Sequence, residues 1–275
     1  MTSGDLAGRS IEELVSLVGR HAVVTGGARG IGYVIARRLA EAGADLLIGD
    51  QDVEGAAAAA QNIGKEFRVR AFSCALDVRH ARSMARLAEF ADEKLGTIEI
   101  WVNNAGVYPA KPLIDTTDEE WDFVNDTNLK GTFLGCREAG RRMAAAKSGV
   151  IINITSVSGY RGRPSIAHYV ASKHGVAGLT KSLAMELGSK GVRVVAVSPA
   201  LTDTPGYKEA MDRNSGGEQS QQSYKELHER LRSLVPLGRM GRPDDVARVV
   251  LFCACDLAAF VTATTIFADG GVSAF

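Results

Sequence analysis

Tyr169 and Lys173 lie four residues apart in a stretch, Tyr169 to Leu183, whose pattern predicts an amphipathic helix. Side chains at positions i and i+4 share one helix face, so the phenol and the ammonium group are expected to lie side by side. A cation about 4 Å from a phenol, at an effective dielectric constant of about 20, favours the phenolate by about 4 kcal/mol. The pairing therefore predicts a lowered tyrosine pKa and proton exchange near neutral pH, although such pairs also occur by chance.

A glycine-rich turn joins the first predicted strand, residues 21–25, to a predicted helix at 33–43. Gly26 permits the tight turn, Gly30 lets backbone approach a phosphate, and Gly32 lets the helix pack closely on the strand. A strand, a glycine turn and a helix in this order form the arrangement that cradles a pyrophosphate at a helix N-terminus. The turn therefore predicts a dinucleotide site.

Asp50 ends the second predicted strand, residues 45–50, and stands eighteen residues after Gly32. An acid at this place hydrogen-bonds the 2′-hydroxyl of an adenosine ribose and repels a 2′-phosphate, which favours NAD over NADP. Arg29 instead favours NADP, because a basic residue in the glycine turn can bind the 2′-phosphate. We favour NAD, since an anion beside the ribose penalises a second anion directly.

Composition limits the class of partner. The chain has 275 residues and a formal net charge of zero, with 32 basic and 32 acidic side chains. This balance argues against nucleic acid or an anionic membrane as the main partner. The four cysteines form no CxxC pair and have no histidine at metal-ligand spacing, so we expect reduced, mostly buried thiols and no metal site. No signal peptide or membrane span is recognisable, and we expect a cytoplasmic protein.

Strand and helix patterns alternate along the whole chain. Repeated strand–helix units predict a doubly wound, Rossmann-type α/β fold with one parallel sheet and helices on both faces. Ligands bind such sheets at the carboxyl ends of the strands. The predicted strands are residues 21–25, 45–50, 69–76, 98–102, 149–155, 191–197 and 264–268, and one helix starting at Thr117 is expected to include Asn125, Asn128 and Lys130. Residues 1–19 are interpreted as an extension with a short helix capped at Ser10, and residues 20–275 as a single dinucleotide-binding domain.

With these motifs in order, the chain resembles the short-chain dehydrogenase/reductase family in its compact subdivision, from about residue 19 to residue 271. Ser156 precedes Tyr169 by thirteen residues, which is the family's usual spacing. The motifs that carry the resemblance are Thr25-Gly26-x-x-x-Gly30-x-Gly32, Asn103-Asn104-Ala105-Gly106, Asn128, Ser156 and Tyr169-x-x-x-Lys173.

The resemblance implies a role for each of four catalytic residues. Tyr169 would be the acid/base, and Ser156 would hydrogen-bond the substrate oxygen as charge develops there. Lys173 would lower the pKa of Tyr169 and hold the nicotinamide ribose. Asn128 would position a water that connects Lys173 to solvent. Hydride transfer between a secondary alcohol or ketone and NAD(H) would follow.

The resemblance also implies a set of cofactor-binding residues. Asp77 and Val78 match an adenine-contacting pair, and Thr202 and Thr204 match positions that contact the carboxamide. The sequence departs from the family at Ala200, where glycine usually follows the proline. The full set is Gly26, Arg29, Gly30, Ile31, Gly32, Asp50, Gln51, Asp77, Val78, Asn104, Ala105, Gly106, Tyr169, Lys173, Pro199, Thr202 and Thr204.

The substrate is the least determined part of the prediction. Residues 205–235 should form a lid of two short helices around Asn214–Gly217. No cluster of side chains demands a phosphate, a carboxylate or a carrier protein, so a small or medium secondary alcohol and its ketone are expected. Pocket candidates are Tyr108, Ser158, Tyr160, Arg161, His168, Leu201 and Tyr207.

Other functions remain open. The alternatives are a 3-oxoacyl-thioester reductase that uses NADPH, an epimerase or dehydratase on the same scaffold, and a non-catalytic dinucleotide-binding regulator. The resemblance further implies a homotetramer in which the helices after strands four and five pair between subunits.

Overall fold

A parallel β-sheet of seven strands forms the centre of the protein, for which the computed structural model describes residues 6–209 and 234–274. The strands are β1 (His21–Thr25), β2 (Asp45–Asp50), β3 (Ala71–Ala75), β4 (Ile100–Asn103), β5 (Gly149–Ile154), β6 (Val192–Pro199) and β7 (Thr265–Ala268). Their order across the sheet is β3-β2-β1-β4-β5-β6-β7, and every neighbouring pair is parallel. The predicted doubly wound sheet is confirmed.

Helices cover both faces of this sheet. The helices are α1 (Ile11–Val15), α2 (Gly30–Glu41), α3 (Val53–Phe67), α4 (Ala81–Lys94), α5 (Asp118–Asn125), α6 (Gly131–Ala146), α7 (Ala167–Leu187) and α8 (Pro243–Ala254). Successive strand residues point to opposite faces, so Ala22 and Val24 pack into the core under α2, α3 and α8. Val23 packs into the second core, under α4, α6 and α7. Both faces of the strands are therefore buried.

The segment after Thr117 differs from its prediction. Thr117 forms the expected capping box with Glu120 and starts α5. The expected helix does include Asn125, Asn128 and Lys130, but it is not α-helical throughout, because a π-helical turn at Asp126–Lys130 joins α5 to α6. A π turn adds a residue to the helical repeat and is common at functional sites. Asn128 lies within this turn and is fully buried.

Other boundaries shift by a few residues. The third strand begins at Ala71 and the fourth at Ile100, each two residues later than predicted. The capping box at Ser10 is confirmed, and Leu17 after α1 is fully buried. Of the predicted lid, residues 205–209 form a helical turn and residues 234 and 235 are also described. The remainder, including Asn214–Gly217, lies outside the described residues.

The predicted burial of the cysteines is largely confirmed. All four thiols are free; Cys136, Cys253 and Cys255 are buried, whereas Cys74 is partly exposed. Among the helices that the structure describes, none is both long and apolar enough to cross a membrane.

A buried polar network ties α7 to the middle of the sheet. Asn103 on β4 accepts a hydrogen bond from Trp101 Nε1 at 2.9 Å and donates one to Asn153 Oδ1 on β5 at 2.9 Å. Asn153 Nδ2 in turn donates to Thr180 Oγ1 on α7 at 3.0 Å. The prediction that Asn103 is a strand-end hydrogen bonder is confirmed. A satisfied network in a low-dielectric core specifies one arrangement of the elements it joins.

We predict that Asn153→Ala lowers the free energy of unfolding by about 2–3 kcal/mol, because it removes two buried hydrogen bonds and leaves Asn103 Nδ2 with only the weak acceptor Cys136 Sγ. Urea unfolding measures the change. The control is Ser182→Ala, an exposed serine on the same helix, which should change the stability by less than about 0.5 kcal/mol. Equal losses in the two variants would contradict a stabilising network.

Candidate active site

The four predicted catalytic residues come from three different elements. Ser156 follows β5 and caps a short 3-10 turn, accepting the Ser158 N–H at 3.1 Å. Tyr169 and Lys173 lie one turn apart on α7, and Asn128 lies in the π turn. The structure brings these residues together at the carboxyl end of β5, where Ser156 and Tyr169 are within hydrogen-bonding reach.

Lys173 is the buried cation of this group, and its side chain is 4% exposed. Its Nζ atom donates a hydrogen bond to the carbonyl of Ile154, the last residue of β5, at 2.9 Å. The same atom lies 5.8 Å from the centre of the Tyr169 ring. The expected pairing on one helix face is therefore present.

The side chain of Asn128 hydrogen-bonds both the loop after β4 and helix α7. Its Oδ1 accepts the Val107 N–H at 2.8 Å, and its Nδ2 donates to the Val107 carbonyl at 2.9 Å and to Ser172 Oγ at 3.1 Å. Ser172 then donates to the carbonyl of Tyr169 at 2.8 Å. The side-chain amide of Asn128 is thus engaged by the protein itself.

Ser172 was not among the predicted site residues. Its position three residues after Tyr169 permits a hydrogen bond back along the helix, and this spacing was the available signal. Gly106 fits the same cluster closely, because a Cβ atom there would lie 3.1 Å from Asn128 Oδ1 and 3.6 Å from Lys173 Nζ.

The electrostatics of the pair differ from the prediction. Desolvation raises the pKa of Tyr169 above its usual 10, and the hydrogen bond with Ser156 only partly opposes this rise. Burial also lowers the pKa of Lys173 to about 8. The prediction of a lowered tyrosine pKa is therefore wrong for the protein alone. It counted the attraction of the cation and omitted the cost of removing both groups from water.

The glycine turn has the shape that a dinucleotide requires. Gly26 has a φ of +67°, and a Cβ atom there would lie 2.8 Å from the Cα atom of Ala105. Gly30 has a φ of +62°, and a Cβ atom there would approach only Thr204, at 3.9 Å. Gly32 is buried and packs directly over the Gly26 carbonyl. An open cradle therefore remains in front of the N-terminus of α2, where a pyrophosphate fits.

Asp50 and Arg29 flank this cradle with opposite charges. Asp50 accepts the Ala28 N–H at 2.9 Å through Oδ2 and the Asp52 N–H at 3.0 Å through Oδ1. Arg29 Nη1 instead pairs with Glu209 Oε1 at 2.5 Å. The carboxylate of Asp50 is thus held against the glycine turn, and Gln51 beside it is exposed.

Several predicted cofactor residues have protein partners of their own. Asn104 donates to the carbonyls of Thr25 and Gly26 at 3.0 and 2.9 Å, so its side chain braces the glycine turn. Asp77 pairs with Arg79 at 2.6 Å, and the bond lowers the pKa of its carboxyl to about 2. The side chain of Val78 is buried. Ile31 packs partly on the core beneath α2.

The segment after β6 approaches the same cradle. Pro199 ends β6, and the hydroxyl of Thr202 donates to the Ala200 carbonyl at 2.9 Å. Thr204 Oγ1 accepts the Tyr207 N–H at 3.1 Å and so caps the helical turn of residues 205–209. Because Thr204 Oγ1 acts as an acceptor in this bond, its hydroxyl hydrogen could still be donated to another group.

Four of the seven pocket candidates form two groups, whereas Ser158 and His168 are buried and Leu201 is partly buried. Tyr108 meets Tyr169 edge-on, with ring centres 6.5 Å apart, and lies near Tyr207. Tyr160 instead packs on Phe267 of β7, with ring centres 4.9 Å apart. Arg161 donates to the carbonyl of Val272. Tyr160 and Arg161 are therefore engaged with the C-terminal segment, and the tyrosines around Tyr169 form the wall beside the reacting position.

We predict that Lys173→Met stabilises the fold by about 1–3 kcal/mol at pH 7. Lys173 has a folded-state pKa of about 8 against an ordinary value of 10.5, so its protonation opposes folding most strongly below pH 8. That cost disappears as pH rises from about 8 to 10.5, and the gain should shrink with it.

Urea unfolding at pH 7 and pH 10 measures this difference, with Lys181→Met as the control. Lys181 is exposed on the same helix, so its replacement should have a small effect at both pH values. An equal gain in the free energy of unfolding at pH 7 and pH 10 would contradict the conclusion that protonation of buried Lys173 opposes folding.

Comparison with known proteins agrees with this geometry. Residues 26–273 match the family model described as enoyl-(acyl carrier protein) reductase. A 3-oxoacyl-(acyl-carrier-protein) reductase FabG of Chlamydia muridarum is 36% identical over 94% of this chain and 98% of its own length. The 3beta-hydroxysteroid dehydrogenase 1 of Eggerthella lenta is 37% identical over 94% of this chain and 95% of its own.

Solved structures share both fold and sequence with the chain. A gluconate 5-dehydrogenase from Burkholderia cenocepacia, solved with NADP and tartrate, superimposes with a TM-score of 0.87 and is 32% identical. The match covers 97% of this chain and all of the other. The sheet order, the glycine cradle and these similarities together show that the chain belongs to the short-chain dehydrogenase/reductase family of oxidoreductases.

Proposed function

We propose that the protein interconverts a ketone and its secondary alcohol with a nicotinamide dinucleotide. The observation that carries the proposal is the convergence of Ser156, Tyr169 and Lys173 at the carboxyl end of β5, beside the glycine cradle. A hydroxyl, a phenol and an ammonium group, which differ in proton affinity, therefore lie around a position where a substrate oxygen can bind.

Each residue has a defined task in the reduction. Tyr169 donates its phenolic proton to the carbonyl oxygen, and Ser156 donates a hydrogen bond to the charge that develops there. Lys173 stabilises the phenolate that remains. The bound dinucleotide supplies the hydride. A raised pKa keeps Tyr169 protonated at neutral pH, which suits its role as the acid in ketone reduction.

We propose a 3-oxoacyl thioester as the substrate, in preference to a free alcohol or its ketone. The expectation from the sequence was a small or medium secondary alcohol, but the Chlamydia muridarum relative is named for 3-oxoacyl reduction. The reacting group of a 3-oxoacyl thioester is also a ketone that becomes a secondary alcohol. The same three residues could therefore act on the thioester and on a free ketone. A 3-hydroxysteroid is the second candidate, because the Eggerthella lenta relative is named for it.

For the cofactor, we propose NAD(H) in preference to NADP(H). Asp50 places a carboxylate against the glycine turn, where it would repel a 2′-phosphate. Arg29 is already paired with Glu209, which offsets its attraction for that phosphate. The NADP in the Burkholderia cenocepacia structure favours the opposite preference, so the choice depends on these side chains.

We also propose a homotetramer. Phe133 on α6 and Met185 on α7 are 44% and 79% exposed, and these helices follow β4 and β5. Exposed apolar side chains on neighbouring helices are suited to an interface between copies.

We predict that Tyr169→Phe lowers turnover at least a thousandfold and leaves dinucleotide affinity within about threefold, because only the proton donor is lost. Nicotinamide absorbance follows turnover of acetoacetyl-CoA, a 3-oxosteroid and a free cyclic ketone. The control is Tyr33→Phe, a partly buried tyrosine on α2, which should retain turnover. Turnover by Tyr169→Phe at the wild-type rate, or no turnover of any ketone by the wild type, would overturn the proposed function.

We predict that Asp50→Ala weakens NADH binding and strengthens NADPH binding relative to it, by about tenfold in the ratio of dissociation constants. Fluorescence titration measures both constants. Asp45→Ala is the matched control, since Asp45 lies at the other end of β2 and pairs with Arg70. An unchanged ratio in Asp50→Ala would remove the basis for the NAD preference.

A further inference from the structure

An ion pair connects the glycine turn to the first residues of the lid. Arg29 immediately precedes Gly30 at the start of α2, and its Nη1 atom lies 2.5 Å from Glu209 Oε1. Glu209 is carried by the helical turn that Thr204 caps. The two side chains are 60% and 47% exposed, so the pair faces solvent beside the cradle.

Arg29 follows a residue that binds one carboxylate, whereas its own side chain pairs with another. Asp50 is attached to the glycine turn through the Ala28 N–H, next to Arg29 in the chain. In the part of the chain that the structure describes, the ion pair of Arg29 is nevertheless with Glu209 and not with Asp50. The guanidinium group is thus held by the first residues of the lid and not by the carboxylate of Asp50.

From this geometry we propose that Glu209 is a specificity-determining residue, which holds Arg29 at the lid and so disfavours NADP(H). The proposal rests on the proposed dinucleotide function and adds a residue that does not touch the cofactor. Glu209 acts through Arg29, and it is therefore a positioning residue. Asp50 repels the 2′-phosphate directly, and Glu209 withholds the cation that would compensate.

The size of the effect follows from the exposure of the pair. Exposed ion pairs are screened by solvent and shift an equilibrium by a factor of about five at most. A guanidinium group bound to phosphate forms stronger, charge-assisted hydrogen bonds. Freeing Arg29 should therefore strengthen NADPH binding by about three- to fivefold, and a change of this size should shrink at high salt.

The test is titration of the full-length protein with NADH and NADPH, comparing the wild type with Glu209→Gln, Arg29→Gln and the double variant. Glu209→Gln should lower the dissociation constant for NADPH about three- to fivefold and change that for NADH by less than about twofold. In the Arg29→Gln background the same substitution should leave both constants unchanged, because Glu209 acts only through Arg29. Glu66→Gln, which removes an exposed carboxylate paired with Arg37, is the matched charge control.

Two results would overturn the proposal while leaving the proposed function intact. The first is an equal change in NADH and NADPH affinity in Glu209→Gln, which would indicate that the ion pair affects the binding of both dinucleotides alike. The second is a gain in NADPH affinity that persists without Arg29, which would indicate simple charge repulsion by Glu209. Binding of neither dinucleotide by the wild type would overturn the proposed function together with this proposal.

Discussion

The candidate site depends on one buried ammonium group. Lys173 lies beside the ring of Tyr169 with the Ile154 carbonyl as its acceptor, and its removal from water lowers its pKa to about 8. A buried cation is costly unless the surrounding dipoles are arranged for it. The end of β5 supplies such a dipole, and α7 must lie against that strand for the contact to exist. The chemistry of Tyr169 therefore depends on how accurately one helix is placed on the sheet.

Two hydrogen-bonded networks provide that placement. Asn103, Asn153 and Thr180 connect the central strands to the middle of α7. Asn128 and Ser172 connect the loop after β4 to the first turns of the same helix, beside Tyr169. Because unsatisfied polar groups are costly in a low-dielectric core, each network allows few alternative positions for the helix. Tyr169 and Lys173, the proposed acid/base and its cation, are thus held in place by residues of other elements.

Much of the fold was predictable, because its signals are local. Apolar runs marked all seven strands, and the capping boxes at Ser10 and Thr117 marked two helix starts. The π turn around Asn128 was not predictable, since its extra residue is accommodated by contacts with Val107 and Ser172 from other parts of the chain. Tyr160 and Arg161 were among the candidates for the substrate pocket, and the structure shows both bound to the C-terminal segment.

By itself, the sequence determined which chemical groups are present and which of them share a helix face or a strand end. Spacing of four residues placed Tyr169 and Lys173 on one side of α7, and the glycine pattern specified the turn before α2. Only the tertiary structure decided that burial raises the pKa of Tyr169, and that Arg29 pairs with Glu209, 180 residues away. The physical reason is that helix and strand periodicity are set by neighbouring residues. Desolvation and ion pairing are set instead by whichever distant segments pack around a group.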